Sequence, residues 1–110
     1  MQSSEGVAVS SVGTDAWTPD PDVPGTEMHE LVHDGDIWVG MTRILSTDGP
    51  IAWSPEHRES VHVLEGSVRI EFDDGRDEIR LGPGDLASFP AGARMTWHVT
   101  TPFRELWFMG

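Results

Sequence analysis

A chain of 110 residues with 19 acidic and 7 basic side chains carries a formal net charge of -12. That length suits one domain with one core, and that sign is wrong for gripping nucleic-acid phosphates or anionic lipid surfaces. The absence of cysteine, lysine and tyrosine removes thiol nucleophiles, Schiff bases and phenol acids from the available chemistry.

Residues 1–14 (MQSSEGVAVSSVGT) are small, polar and without sustained periodicity, which predicts a flexible or weakly docked arm ahead of a domain spanning 15–110. Neither a basic start followed by an apolar run nor a stretch of roughly 20 apolar residues occurs, so the expected location is cytoplasmic, without signal peptide or membrane span. The first basic residue is Arg43, and the segment before it is acidic. His29 and His33 fall in that segment and receive no role.

From Ile37 the text changes to short runs of Val, Ile, Trp and Phe separated by Gly, Pro and Asp, the pattern of successive strands joined by tight turns. IWVGMTRIL (37–45) is followed by SVHVLEG (60–66), expected to turn at its glycine, and by SVRIEF (67–72), which alternates apolar and polar residues. DDG (73–75) is a hairpin signal. EIRL (78–81), LASFP (86–90), MTWHV (95–99) and FRELWFM (103–109) follow, broken by GPGD (82–85) and PAG (90–92). No helix is expected. An all-β chain of about seven short strands must pack as a sandwich or close as a barrel, and spacing alone leaves the two tied.

Glu59 precedes Gly66 by six intervening residues, and Gly84-Asp85 is followed by Pro90-x-Gly92. These two motifs resemble those of the cupin superfamily. Together with the tryptophan after Gly49, VLEG, DDG, FPAG and TWHV, they are similar to the small one-domain cupins grouped with ureidoglycine aminohydrolase and ethanolamine-utilisation proteins. The resemblance covers about residues 37–109, more loosely from Trp17, and implies an antiparallel jelly-roll β-barrel and pairing into a homodimer through strands near the N-terminus. It also implies a metal held by His-x-His, a glutamate and a further histidine. Here Trp53, Ser54, Pro55 and Met95 stand in the histidine places. Glu59 alone remains, short of the three or four donors a transition metal requires. No cofactor is therefore expected. The alternative is a divalent metal at Glu59 and His57, which share a strand face if the strand reaches that far.

Glu59 shares strand parity with Val61 and Val63, so a carboxyl turns inward with the valines. It is the candidate catalytic residue, against the plainer possibility of a rim residue paired with Arg43 or Arg104. Trp53, His57, Val61, Met95 and Trp97 are the candidate ligand contacts. They either pack the barrel solid or line an apolar pocket with a few polar groups. His62 and His98 take the outward parity, and Asp85 reads as a turn former.

Three functions follow. The first is a metal-independent cupin binding a small, partly apolar molecule, with Glu59 serving lyase, isomerase or hydrolase chemistry. The second is a non-catalytic ligand-sensing or assembly module, and the third a metal enzyme with the Glu59/His57 site. The aminohydrolase activity is not carried across, because its metal ligands do not map onto this chain.

Overall fold

The computed structural model describes the backbone of residues 2–4 and 6–110 and the side chains from Gly6 onward. Every regular element among them is a strand: β1 (Gln2–Ser4), β2 (Val7–Val9), β3 (Thr18–Pro19), β4 (Thr26–Asp34), β5 (Ile37–Ile44), β6 (Ile51–Trp53), β7 (Glu59–Phe72), β8 (Ile79–Leu81), β9 (Leu86–Phe89) and β10 (Met95–Met109). Among the described residues no helix is long and apolar enough to cross a membrane.

β1 and β2 form a separate hairpin, and the other eight strands share one sheet in the order β3-β4-β5-β10-β7-β8, with β6 on β10 and β9 on β7. All of these pairings are antiparallel. β10 does most to close the fold. Its first half, Met95 to Thr100, pairs with β7 while Met95–Trp97 also pairs with β6. Its second half lies between β5 and the start of β7. One long strand thus joins both walls of a jelly-roll barrel. Alternation then selects the core: Val61, Val63, Val68 and Ile70 from β7, Phe89 from β9, and Met95, Trp97, Phe103 and Trp107 from β10 are all buried, as expected where one face of each strand turns inward.

Gly66 does not turn the chain back, as the sequence suggested. SVHVLEG and SVRIEF are one strand, and so are MTWHV and FRELWFM. Gly66 adopts φ +76° where the β7–β10 register slips between Thr100 and Arg104. A Cβ there would lie 2.7 Å from the Thr100 carbonyl oxygen and strike that of Pro102. The glycine therefore serves a bulge that bends a continuous strand rather than ending it.

The expected arm also holds more order than its composition suggested. Among its described residues β1 pairs with β2; Met1 and Glu5 lie outside them. The segment after the hairpin is fastened to the barrel. His29 on β4 is buried, with Nε2 2.7 Å from Ser10 Oγ and Nδ1 2.7 Å from the Ala16 carbonyl oxygen. Arg104 Nη1 donates to the Val12 carbonyl at 2.6 Å. β4 itself escaped notice because the register shift between Glu30 and Val32 breaks its alternation and because charged residues interrupt it.

Candidate functional site

Inside the barrel is a cavity of about 160 Å³. Four of the five tryptophans, Trp38, Trp53, Trp97 and Trp107, line it together with two glutamates, Glu59 and Glu105. Asp20, Asp22 and Val23, from the loop between β3 and β4, form its rim.

Strand parity puts each of these side chains there. Glu59 opens β7 on the inward face and is 4% exposed. Glu105 lies between Phe103 and Trp107 on the inward face of β10, opposite Val63 of β7 and Thr42 of β5, and is 5% exposed. Trp53 Nε1 donates to Glu59 Oε1 at 2.7 Å, and Trp107 Nε1 to Thr42 Oγ1 at 2.8 Å. Trp38 meets Trp107 edge-on, with ring centroids 5.1 Å apart, a favourable aromatic geometry. Gly40 makes room for this arrangement, since a Cβ there would stand 2.9 Å from the Trp107 ring. Three buried polar atoms on the lining residues have no hydrogen-bond partner in the protein: Glu105 Oε2, Trp97 Nε1 and Thr26 Oγ1.

Burial pushes the Glu105 carboxyl well above the usual carboxylate range, and the nearby Glu59 charge pushes it further. Burial also raises Glu59, partly offset by the hydrogen bond from Trp53. Neither has an arginine partner. Arg43 bonds Glu27 at 2.9 Å and lies over the Trp17 ring, while Arg104 is engaged with Val12. Burial thus makes both carboxyls of this cavity hold a proton more firmly than exposed carboxylates do.

Of the residues singled out from sequence, the structure brings Glu59, Trp53 and Trp97 together on the cavity wall. Val61 and Met95 lie in the packed core and do not line the cavity. His57 is a correction. It is exposed in the loop before β7, with Nε2 3.9 Å from Asp36 Oδ1. The strand starts only at Glu59, so the parity that would have aligned the two does not extend back to His57, and the Glu59/His57 pair does not form. His98 is engaged with Glu71 at 2.6 Å. Asp85 accepts the Gly82 N–H at 2.7 Å, closing its turn. Glu105, Trp38 and Trp107 were missed, although FRELWFM carries the signal: Phe103, Glu105, Trp107 and Met109 share one parity.

The metal that the resemblance implies does not fit these residues. The cavity wall offers Glu59, already bonded to an indole, and Glu105; Asp20 and Asp22 stand at the rim, and no imidazole lines the space. Among the described residues no three His, Cys, Asp or Glu are grouped as a metal would need. Transition ions require three or four such donors.

An all-antiparallel jelly roll with a side-chain-lined interior is the architecture that cupin barrels have in common with other jelly rolls. Residues 43–105 match the EutQ-like cupin domain, and the chain belongs to that family. No curated protein matches its sequence significantly. The EutQ protein of Clostridium difficile is similar in structure at 21% identity and TM-score 0.63, over 76% of this chain and 66% of that one. KdgF from Halomonas sp. is similar at 20% identity and TM-score 0.67, over 86% of each chain. A protein of unknown function from Acidithiobacillus ferrooxidans is similar at 18% identity and TM-score 0.69, over 92% of each. Such distant likeness establishes the shared fold, and the chemistry must be argued from the site.

Proposed function

We propose that the barrel cavity binds a small, partly apolar molecule without a resident metal, and that Glu59 receives its polar end as hydrogen-bond acceptor or general base. The observation that carries this reading is a buried carboxylate in an indole-lined cavity, held by a single hydrogen bond from Trp53 and matched by no cation. Apolar walls with a few convergent polar groups are the ordinary form of a small-molecule site. At about 160 Å³ the space equals roughly five water molecules of about 30 Å³ each, which limits the ligand to a small metabolite or to one end of a larger one. With its ionisation opposed by burial, Glu59 is placed to move a proton in lyase, isomerase or hydrolase chemistry. A chain without cysteine is compatible with a reducing, cytoplasmic setting.

A non-catalytic assembly role is the second reading. Leu86 and Phe108 are 73% and 42% exposed and lie on one outer groove with Val39 and His62, a face suited to a second copy of the chain. A thermal-shift screen of small neutral, cationic and anionic compounds against the parent and Glu59→Gln tests the first reading. Ligands should raise the parent's melting temperature, and Glu59→Gln should lose that response. A variant that binds like the parent while costing several kcal/mol of stability, on the scale of about 3–5 kcal/mol for a broken buried pair, makes Glu59 structural and refutes the reading.

A further inference from the structure

We infer that the cavity selects a small organic cation, a primary alkylammonium whose N–H groups reach Glu59 and Glu105 while its alkyl part lies against the tryptophans. The inference rests on the cavity reading above and names its ligand class. Two inward carboxyls, Glu59 on β7 and Glu105 on β10, line the same space, and no arginine or histidine lines it with them. When ionised, they have no counter-charge among the residues lining the cavity. Glu105 Oε2 is buried without a hydrogen-bond partner, a vacant acceptor at a place a ligand's N–H would fill. Four indoles line the space beside Met28, Ile44, Ile51 and Met109, and indole is the aromatic group that attracts a cation over its face most strongly.

A small inorganic cation would need several donors grouped around it to replace its hydration, and no three His, Cys, Asp or Glu are so grouped among the described residues. Trp97 Nε1 and Thr26 Oγ1 are unmatched groups of the wall; an ammonium does not serve the indole N–H, whereas a water or a hydroxyl on the ligand does. The rim adds Asp20 and Asp22, and a mouth of one sign concentrates ligands of the other. These four acids are all the titratable groups facing the space: the β4, β5 and β6 side chains that line it are neutral. Binding of a cation should therefore strengthen as pH rises and the carboxyls ionise.

Butylammonium and 1-butanol have five non-hydrogen atoms each and differ in charge, and butyrate supplies the opposite sign. Titration of the full-length chain with each, by calorimetry or by chemical-shift change, should show butylammonium about tenfold tighter than 1-butanol, with butyrate weakest. The preference should be larger at about pH 8 than at about pH 5. Glu105→Gln and Glu59→Gln, each checked for folding by its melting curve, should shrink the ratio between the two probes towards one. Equal binding of butylammonium and 1-butanol overturns the cation inference while leaving the cavity reading intact. No binding of any probe, together with an unresponsive thermal-shift screen, overturns both. If a variant fails to fold, the pH dependence of the parent's preference decides alone, and a flat profile counts against the inference.

Discussion

Replacing Glu105 with methionine should make the protein more stable. Its carboxyl is 5% exposed, Oε2 has no partner, and Glu59 opposes its ionisation. A buried polar group without a hydrogen bond costs about 1–3 kcal/mol, and replacing it by an apolar side chain of similar shape relieves that cost. For a chain of 110 residues, an unfolding entropy of about 2.1 cal/mol/K per residue converts each kcal/mol into roughly 4 °C of melting temperature. A gain of about 4–13 °C near pH 8 follows. The pH dependence has a definite sign. The folded-state pKa lies above the unfolded value of 4.5, so the native state holds the extra proton between the two. Its contribution to stability is full below the unfolded value and is lost as pH rises through the folded one. Glu59 is shifted in the same direction. The exposed Glu71 and Asp74 are shifted downwards and act oppositely, but they cancel in the difference between variant and parent. Thermal melts at intervals from about pH 4 to pH 8 should show that difference growing with pH. A Glu105→Met protein that melts below the parent near pH 8, or a difference that does not vary with pH, would refute the reasoning.

Chelation should leave the melting temperature unchanged, because no imidazole lines the cavity and no three His, Cys, Asp or Glu are grouped as a transition metal needs among the described residues; one tightly held metal per chain by elemental analysis would overturn that reading. The protein should run as a homodimer in size exclusion with light scattering, since the exposed Leu86 and Phe108 groove and the β8 sheet edge are costly to leave bare. A species of 12.1 kDa in dilute solution would refute it.

The fold was legible because its signals are local and repeated. Alternation in SVRIEF and MTWHV, the DDG turn and the two motifs around Glu59 and Asp85 each state a strand or a turn within a few residues, and β5, β7, β8, β9 and β10 appear where those signals lie. The misreadings have equally local causes. A glycine between two alternating runs looks the same whether it reverses the chain or bends it, and only the partner strand decides. At Gly66 the Thr100 and Pro102 carbonyls of β10 occupy the space a Cβ would take, and they come from more than thirty residues away in sequence. β4 hid behind its charges and its register shift at Glu30, and the fastening of residues 10–16 depends on a buried His29 that sequence places only in an acidic stretch.

The site divides along the same line. Parity, counted from the valines, was enough to turn Glu59 inward, and the same count applied to FRELWFM turns Glu105 inward beside Trp107 and Met109. What parity does not supply is which inward residues meet across the barrel. Glu59 stands opposite Met109 and Glu105 opposite Val63 in the β7–β10 ladder, so the two carboxyls enter one cavity through the register of the longest strand pair. His57 shows the converse failure, since a parity argument holds only as far as the strand extends, and this strand begins at Glu59. The pair matters more than either member. One buried carboxyl bonded to an indole is satisfied by the protein alone, but a second one beside it with a bare oxygen is not. Natural proteins keep destabilising groups of this kind where function needs them. A gain in stability on removing Glu105 together with a loss of ligand discrimination would assign that cost to function, whereas a gain with discrimination intact would leave the carboxyl without a role in selecting the ligand.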